Sequence, residues 1–253
     1  MCATCGCTPH AAPAAHDLPA HDHGHGPAHS HDHGSPVRIE ADILSKNDGL
    51  AERNRAWLRE RSVVALNLVS SPGSGKTTLL ARSIQDLKGR LAISVIEGDQ
   101  ATSRDADRIR AAGAEAVQIN TGSACHLDAH QVAHALGDLR PAPGSCVVVE
   151  NVGNLICPSL FDLGENRRIL VASVTEGEDK PVKYPHMFRS ASLIVLNKID
   201  LLPHVSFSVE RFREFVREVN PRARILALSA TRGDGLSEWY EWLLSVAGRQ
   251  VPV

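Results

Sequence analysis

At 253 residues, 22% charged and 43% apolar, the chain suits one ordinary globular domain plus an appendage. A net charge of −2 gives no electrostatic case for nucleic acid or an anionic membrane surface. No apolar run approaches the ~18 residues of a transmembrane helix, and the N-terminus lacks the basic and apolar regions of a signal peptide. A cytoplasmic address is therefore expected, where six cysteines read as ligands rather than disulfides.

The chain opens MCATCGC, three thiolates within six residues: Cys2, Cys5 and Cys7. With the terminal amine they supply a planar set of three sulfurs and one nitrogen, suited to Ni(II); tetrahedral Zn(II) with an added His is the competing occupant. Residues 8–36 hold eight His and five Pro but one Leu and no Lys or Arg. Such a segment buries too little apolar surface to offset its chain entropy, so it is expected to be disordered. Its imidazoles would bind Ni, Zn or Cu weakly and in several stoichiometries. The expected organisation is a metal motif over 1–7, a disordered His-rich tract over 8–36 and a P-loop domain over 37–253.

From Val37 onward a helix is predicted over 48–61. Apolar runs follow at 63–69, 91–96, 116–119, 146–150, 168–174, 193–197 and 224–228. Helical patterns lie among them at 76–88, 103–112, 126–139, 208–219 and 236–247. Strands rich in Val, Ile and Leu that alternate with helices predict a mostly parallel, doubly wound α/β sheet.

Residues 70–77 read SSPGSGKT, a Walker A loop whose first glycine is replaced by Ser70. Gly73, Ser74 and Gly75 let the backbone wrap phosphate, Lys76 reaches the β/γ-phosphates, and Thr77 is placed for Mg²⁺, with Thr78 completing the loop. Asn197, Lys198 and Asp200 form NKxD after an apolar strand. The Asp carboxylate can accept from the N1–H and amine that guanine has and adenine lacks. Ser229-Ala230 suits a loop over the base, so GTP is preferred to ATP. Glu150, opening ENVG where GTPases carry DxxG, and Asp99 are candidate Mg²⁺-directed carboxylates; solvated loop acids are the alternative. Lys76, Thr77, Asp99 and Glu150 are the catalytic candidates. No obvious catalytic Gln is present, which predicts slow turnover.

A second thiol group lies inside the domain: Cys125-His126, read at a helix start, and Cys157 beyond Gly153. Three ligands leave a tetrahedral site one short, open to water, a partner or a second subunit. Cys146 sits in a core strand and reads as structural. His130 and His134 follow His126 at helical spacing and read as surface residues that could widen the site.

The motifs CxxCGC, SPGSGKTTLL, VIEGDQ, NTGSACHLDA, VENVGNLICP, VTEGEDKPVKYPHMF and NKIDLLP together resemble the HypB family of hydrogenase-maturation, nickel-incorporating GTPases. The resemblance spans the chain outside the His tract. It implies a GTPase of the dimerising signal-recognition/MinD-like class that helps load Ni into the large subunit of [NiFe]-hydrogenase. By position it marks Cys2, Cys5 and Cys7 as a tight Ni site, and Cys125, His126 and Cys157 as a weaker Ni/Zn site. GTP and Mg²⁺ are the implied nucleotide and cofactor. A GTP-dependent homodimer, accessory maturation proteins and the hydrogenase large subunit are the implied partners, with no nucleic acid or membrane. Two rivals remain: a urease-accessory GTPase, which carries a Cys-Pro-His motif absent here, and a nickel store with a vestigial GTPase domain.

Overall fold

The computed structural model describes residues 36–99 and 104–248, with side chains from residue 41 onward. Cys2, Cys5, Cys7 and the His tract up to residue 35 lie outside the described residues. Seven strands form one parallel sheet: β1 Val64–Ser70, β2 Ile93–Asp99, β3 Glu115–Asn120, β4 Cys146–Glu150, β5 Arg167–Ser173, β6 Leu193–Asn197 and β7 Arg224–Ala227. Their spatial order is β3-β2-β4-β1-β5-β6-β7, so β1 lies between β4 and β5: the chain runs out to β2 and β3, returns to insert β4 beside β1, and then crosses to β5, β6 and β7 on the other side. The loop leaving β1 opens at that switch point, where such sheets bind ligands.

The helices are α1 Pro36–Glu60, α2 Lys76–Asp86, α3 Arg104–Ala112, α4 Ala129–Leu139, α5 Lys180–Lys183, α6 Pro185–Ser190, α7 Val209–Val219 and α8 Leu236–Val246. Strand residues alternate between the faces. Leu66 and Leu68 join one core with Leu79, Ile84, Ile109 and Trp239. Ala65 joins a second with Leu58, Val132 and Leu136, and Val69 a third with Phe188, Phe212 and Val216. Helices thus cover both faces, the doubly wound arrangement expected from the sequence. Trp239 Nε1 donates to Ser83 Oγ over 2.8 Å, fixing α8 to α2.

Three boundaries differ from expectation. Helix α1 runs 25 residues from Pro36, through an Asn-Asp-Gly that reads as a start. The turn-forming Asn47 is recruited to tertiary bonds instead: it donates to the Asp162 carbonyl at 2.8 Å and accepts from Ala129 N at 2.9 Å. Strand β2 extends to Asp99, so Asp99 lies within it rather than after it. Helix α4 begins at Ala129, not at 126. Asp128 accepts from Gln131 N at 2.8 Å while the Gln131 side chain accepts from Asp128 N at 3.1 Å, a capping box that fixes the start. No described helix is long and apolar enough to cross a membrane.

Candidate nucleotide and metal site

The β1–α2 turn takes its shape from two glycines. Gly73 and Gly75 have φ of 74° and 97°, open to glycine at little cost. A Cβ on Gly75 would lie 2.6 Å from Asn197 Nδ2, so no other residue fits there. Asn197 Nδ2 donates to the Ser74 carbonyl at 2.9 Å, and Lys198 Nζ to the Gly73 carbonyl at 2.7 Å. The NKxD segment therefore clasps the loop. Lys198 itself adopts φ 63°, a left-handed conformation costly for a lysine and held by these contacts. Ser70 needs no glycine's freedom, because it ends β1 in strand conformation. Its hydroxyl accepts from Lys76 Nζ at 2.8 Å.

The amide-rich start of α2 faces a cavity of about 540 Å³ lined by residues 72–78 together with Glu97, Asp99, Glu150 and Lys198. A second cavity, of about 260 Å³, shares Gly75, Thr78 and Lys198 with it and is walled by Asn197, Asp200, Leu201 and Ala230. Asn197 Oδ1 accepts from Lys198 N at 2.8 Å and Ala230 N at 3.1 Å, tying together the two segments that wall this cavity. Asp200 Oδ1 is buried with no hydrogen-bond partner among the described residues. Such an atom costs free energy until something donates to it. Ser229, fully buried, supports this wall by bonding Arg232 N at 3.0 Å rather than by lining the cavity.

Glu97 and Glu150 occupy paired positions on β2 and β4 and are each 2% exposed. Thr77 Oγ1 donates to Glu150 Oε1 at 2.6 Å. Burial, then the neighbouring Glu150, pushes the Glu97 carboxyl up to about 10, so it is protonated at neutral pH. Burial also raises Glu150, opposed by Lys76 and Thr77. Glu97 Oε2 and Glu150 Oε2 lack partners among the described residues. The Thr77 hydroxyl, Glu150 and Glu97, the last once a cation displaces its proton, form a hard oxygen set facing the phosphate loop, which fits Mg²⁺. Asp99, at the end of β2, lines the same cavity.

Cys125, His126 and Cys157 place three ligand atoms within 4.8 Å of one another, the one such group of three or more among the described residues. The Cys125 thiol donates to Cys157 Sγ at 2.8 Å, and His126 Nδ1 lies 3.8 Å from Cys125 Sγ. His126 packs against Phe161 with ring centroids 4.0 Å apart and planes tilted by 31°. Burial lowers its pKa against the opposing pull of Asp128, which favours the neutral, ligating imidazole. Two thiols and an imidazole suit Ni(II) or Zn(II) and leave a coordination position open. Cys125 and His126 sit in the loop ahead of the Asp128 cap, which corrects their placement at a helix start. Arg168 donates to the Ser159 and Phe161 carbonyls at 3.3 and 2.9 Å, anchoring the loop that carries Cys157. Cys146 is 1% exposed in the core and its thiol is pushed up to about 12 by burial. His130 and His134 are exposed and stand outside the three-ligand group.

Sequence reasoning passed over Glu97 and Asn151. Glu97 had a signal, an acid inside the apolar run VIEG. Asn151 had none, because its role is a contact: its Oδ1 accepts from Leu127 N at 3.2 Å and its Nδ2 donates to Asn67 at 3.3 Å. Gly153 packs against the phosphate loop, where an added Cβ would lie 3.0 Å from Pro72 Cα.

The family model described as CobW/HypB/UreG, nucleotide-binding domain, matches residues 64–227. The chain is 58% identical over 214 residues to the hydrogenase maturation factor HypB of Rhizobium leguminosarum bv. viciae, covering 85% of this chain and 72% of that one. It is 54% identical over 237 residues to that of Azotobacter vinelandii, covering 92% and 78%. Among solved structures, HypB from Archaeoglobus fulgidus superposes with a TM-score of 0.75 at 42% identity, over 80% of this chain and 99% of that one. HypB from Helicobacter pylori, in complex with nickel, gives 0.75 at 36% identity over 82% and 99%. By motif order, sheet topology and sequence identity over most of its length, the chain belongs to the HypB family of hydrogenase maturation factors.

Proposed function

We propose that the protein is a GTP-hydrolysing nickel metallochaperone that stores Ni(II) and delivers it during maturation of [NiFe]-hydrogenase. The observation that carries this reading is a shared segment: Glu150 faces the phosphate cavity, and seven residues on, Cys157 faces the metal ligands. A nickel complex exists for the Helicobacter pylori relative, and the soft donor set here suits the same ion. Residues 1–7 serve as the tight Ni site, residues 8–36 as a store of interchangeable imidazoles and residues 37–253 as the GTPase domain.

GTP binds with its phosphates on residues 73–78 and its base against Asp200, whose buried Oδ1 accepts from guanine. Lys76 supplies positive charge to the β/γ-phosphates, and Thr77 with Glu150 and Glu97 would hold Mg²⁺. The ion, when bound, neutralises charge developing on the phosphoryl oxygens. Asp99 stands at the end of β2 for a supporting role at the same cavity. Hydrolysis is slow, and a homodimer formed with GTP supplies the missing metal ligand or a surface for accessory proteins and the hydrogenase large subunit. Ni(II) and Zn(II) titrations of the apo, GDP and GTP-analogue states test this reading. Equal metal affinity in all three states, together with no GTP turnover, leaves a nickel store with an idle nucleotide domain.

A further inference from the structure

The exposed face of α4 carries a feature that neither the nucleotide cavity nor the three-ligand group uses. His130 and His134 sit one turn apart on α4, the spacing that brings two side chains together on a helix. Their Nε2 atoms approach to 3.2 Å, with ring centroids 4.5 Å apart and planes at 72°. Two imidazoles at metal–nitrogen distances of about 2.0–2.1 Å on adjacent positions of one ion have nitrogens roughly 2.9–3.4 Å apart. The observed separation falls within that range. It also equals an ordinary N–H···N hydrogen bond, in which one ring holds the proton that the other accepts.

We propose that His130 and His134 form a second, bidentate landing site for a first-row divalent transition ion, separate from Cys125, His126 and Cys157. On binding, the donor ring moves its proton from Nε2 to Nδ1, so both Nε2 lone pairs meet the ion and no net proton is released. Two protein ligands leave the remaining positions to water, which makes the ion exchangeable. His130 lies in the first turn of α4, where the positive end of the helix dipole opposes a cation. That placement further weakens binding and suits transfer rather than retention. With neutral imidazole donors, affinity should rise from Zn(II) or Ni(II) to Cu(II).

Carbethoxylation of histidines in the full-length protein, mapped residue by residue by peptide mass spectrometry, tests the site with nickel chloride as probe. Ni(II) should slow modification of His130 and His134 together by about tenfold, reversed by a chelator. His134→Gln should abolish the protection of His130, and His130→Gln that of His134. Both positions are exposed, so neither exchange disturbs the core. In a Cys125→Ala, Cys157→Ala variant the protection of His130 and His134 should persist. Protection that survives the loss of either histidine, or that vanishes with the two cysteines, overturns the proposal; so does an absence of protection at millimolar Ni(II).

Discussion

The backbone amide of Leu127 donates to Asn151 Oδ1 across 3.2 Å, joining the loop that carries Cys125 and His126 to the residue after Glu150. Asn151 is 2% exposed and also accepts from Val152 N at 3.0 Å. Asn154 adds a longer bond, donating to the Cys125 carbonyl at 3.4 Å. Residues 151 and 154 are thus tied by hydrogen bonds, and not by chain connectivity alone, to the loop that carries Cys125 and His126.

Asn151→Ala should therefore reduce the linkage between nucleotide state and metal affinity. Couplings of this kind run about 1–3 kcal/mol, or 5- to 150-fold in affinity. The variant also leaves Leu127 N buried and unbonded, at a cost of about 1–3 kcal/mol in stability. Metal titration in GDP and GTP-analogue states, with thermal unfolding alongside, reads both effects. Unchanged coupling in a destabilised variant makes Asn151 purely structural.

Cys157→Ala should remove the nucleotide dependence of metal binding at the internal site while leaving GTP affinity intact. Cys157 belongs to the proposed metal set and lines neither nucleotide cavity. Loss of GTP binding in this variant would contradict the separation of the two chemistries.

Asp200→Asn should erase a preference for GTP over ATP of about tenfold or more, because an amide presents a donor where guanine also donates. Competition binding with both nucleotides measures it. Equal affinities in the unaltered protein would remove the assignment of the smaller cavity to guanine.

Lys76→Ala should lower turnover by about 10²–10³-fold, the scale for losing one charged stabiliser of a transition state. The sheet should stay folded, since Lys76 Nζ meets the Ser70 hydroxyl in the loop rather than the apolar core. Steady-state phosphate release and circular dichroism separate lost catalysis from lost fold.

Glu97 gives a pH-dependent prediction for the metal- and nucleotide-free protein. Its carboxyl is raised from 4.5 to about 10 on folding, so the folded state binds the proton more tightly than the unfolded chain. The stability it contributes is complete below the lower value and is lost as pH climbs toward the higher one. Glu97→Gln keeps a donor beside Glu150 without the titration. Its melting temperature should match the parent near pH 5 and exceed it by several degrees near pH 9, at about 2–4 °C per kcal/mol. Parallel curves across that range would show that Glu97 does not titrate this way.

Much of this architecture was written locally. Alternating apolar runs and helical patterns are enough for a parallel doubly wound sheet, because buried strands and amphipathic helices carry their periods in the sequence. The phosphate loop was equally legible, since Gly73, Gly75, Lys76 and Thr77 act through their own backbone and short-range geometry. Donor chemistry singled out Cys125, His126 and Cys157, and the fold brings those three side chains together. The tertiary structure decided what depends on residues far apart in the chain. It drew α1 through Asn47 by giving that side chain partners near 129 and 162, and it set Glu97 opposite Glu150 on the neighbouring strand, where burial raises its pKa. It explained Ser70 as the acceptor for Lys76, and it made Asn151 the bridge between two sites. Periodicity and motif spacing encode what a residue contributes to its own element; burial, register and cross-chain hydrogen bonds exist only once the elements have packed.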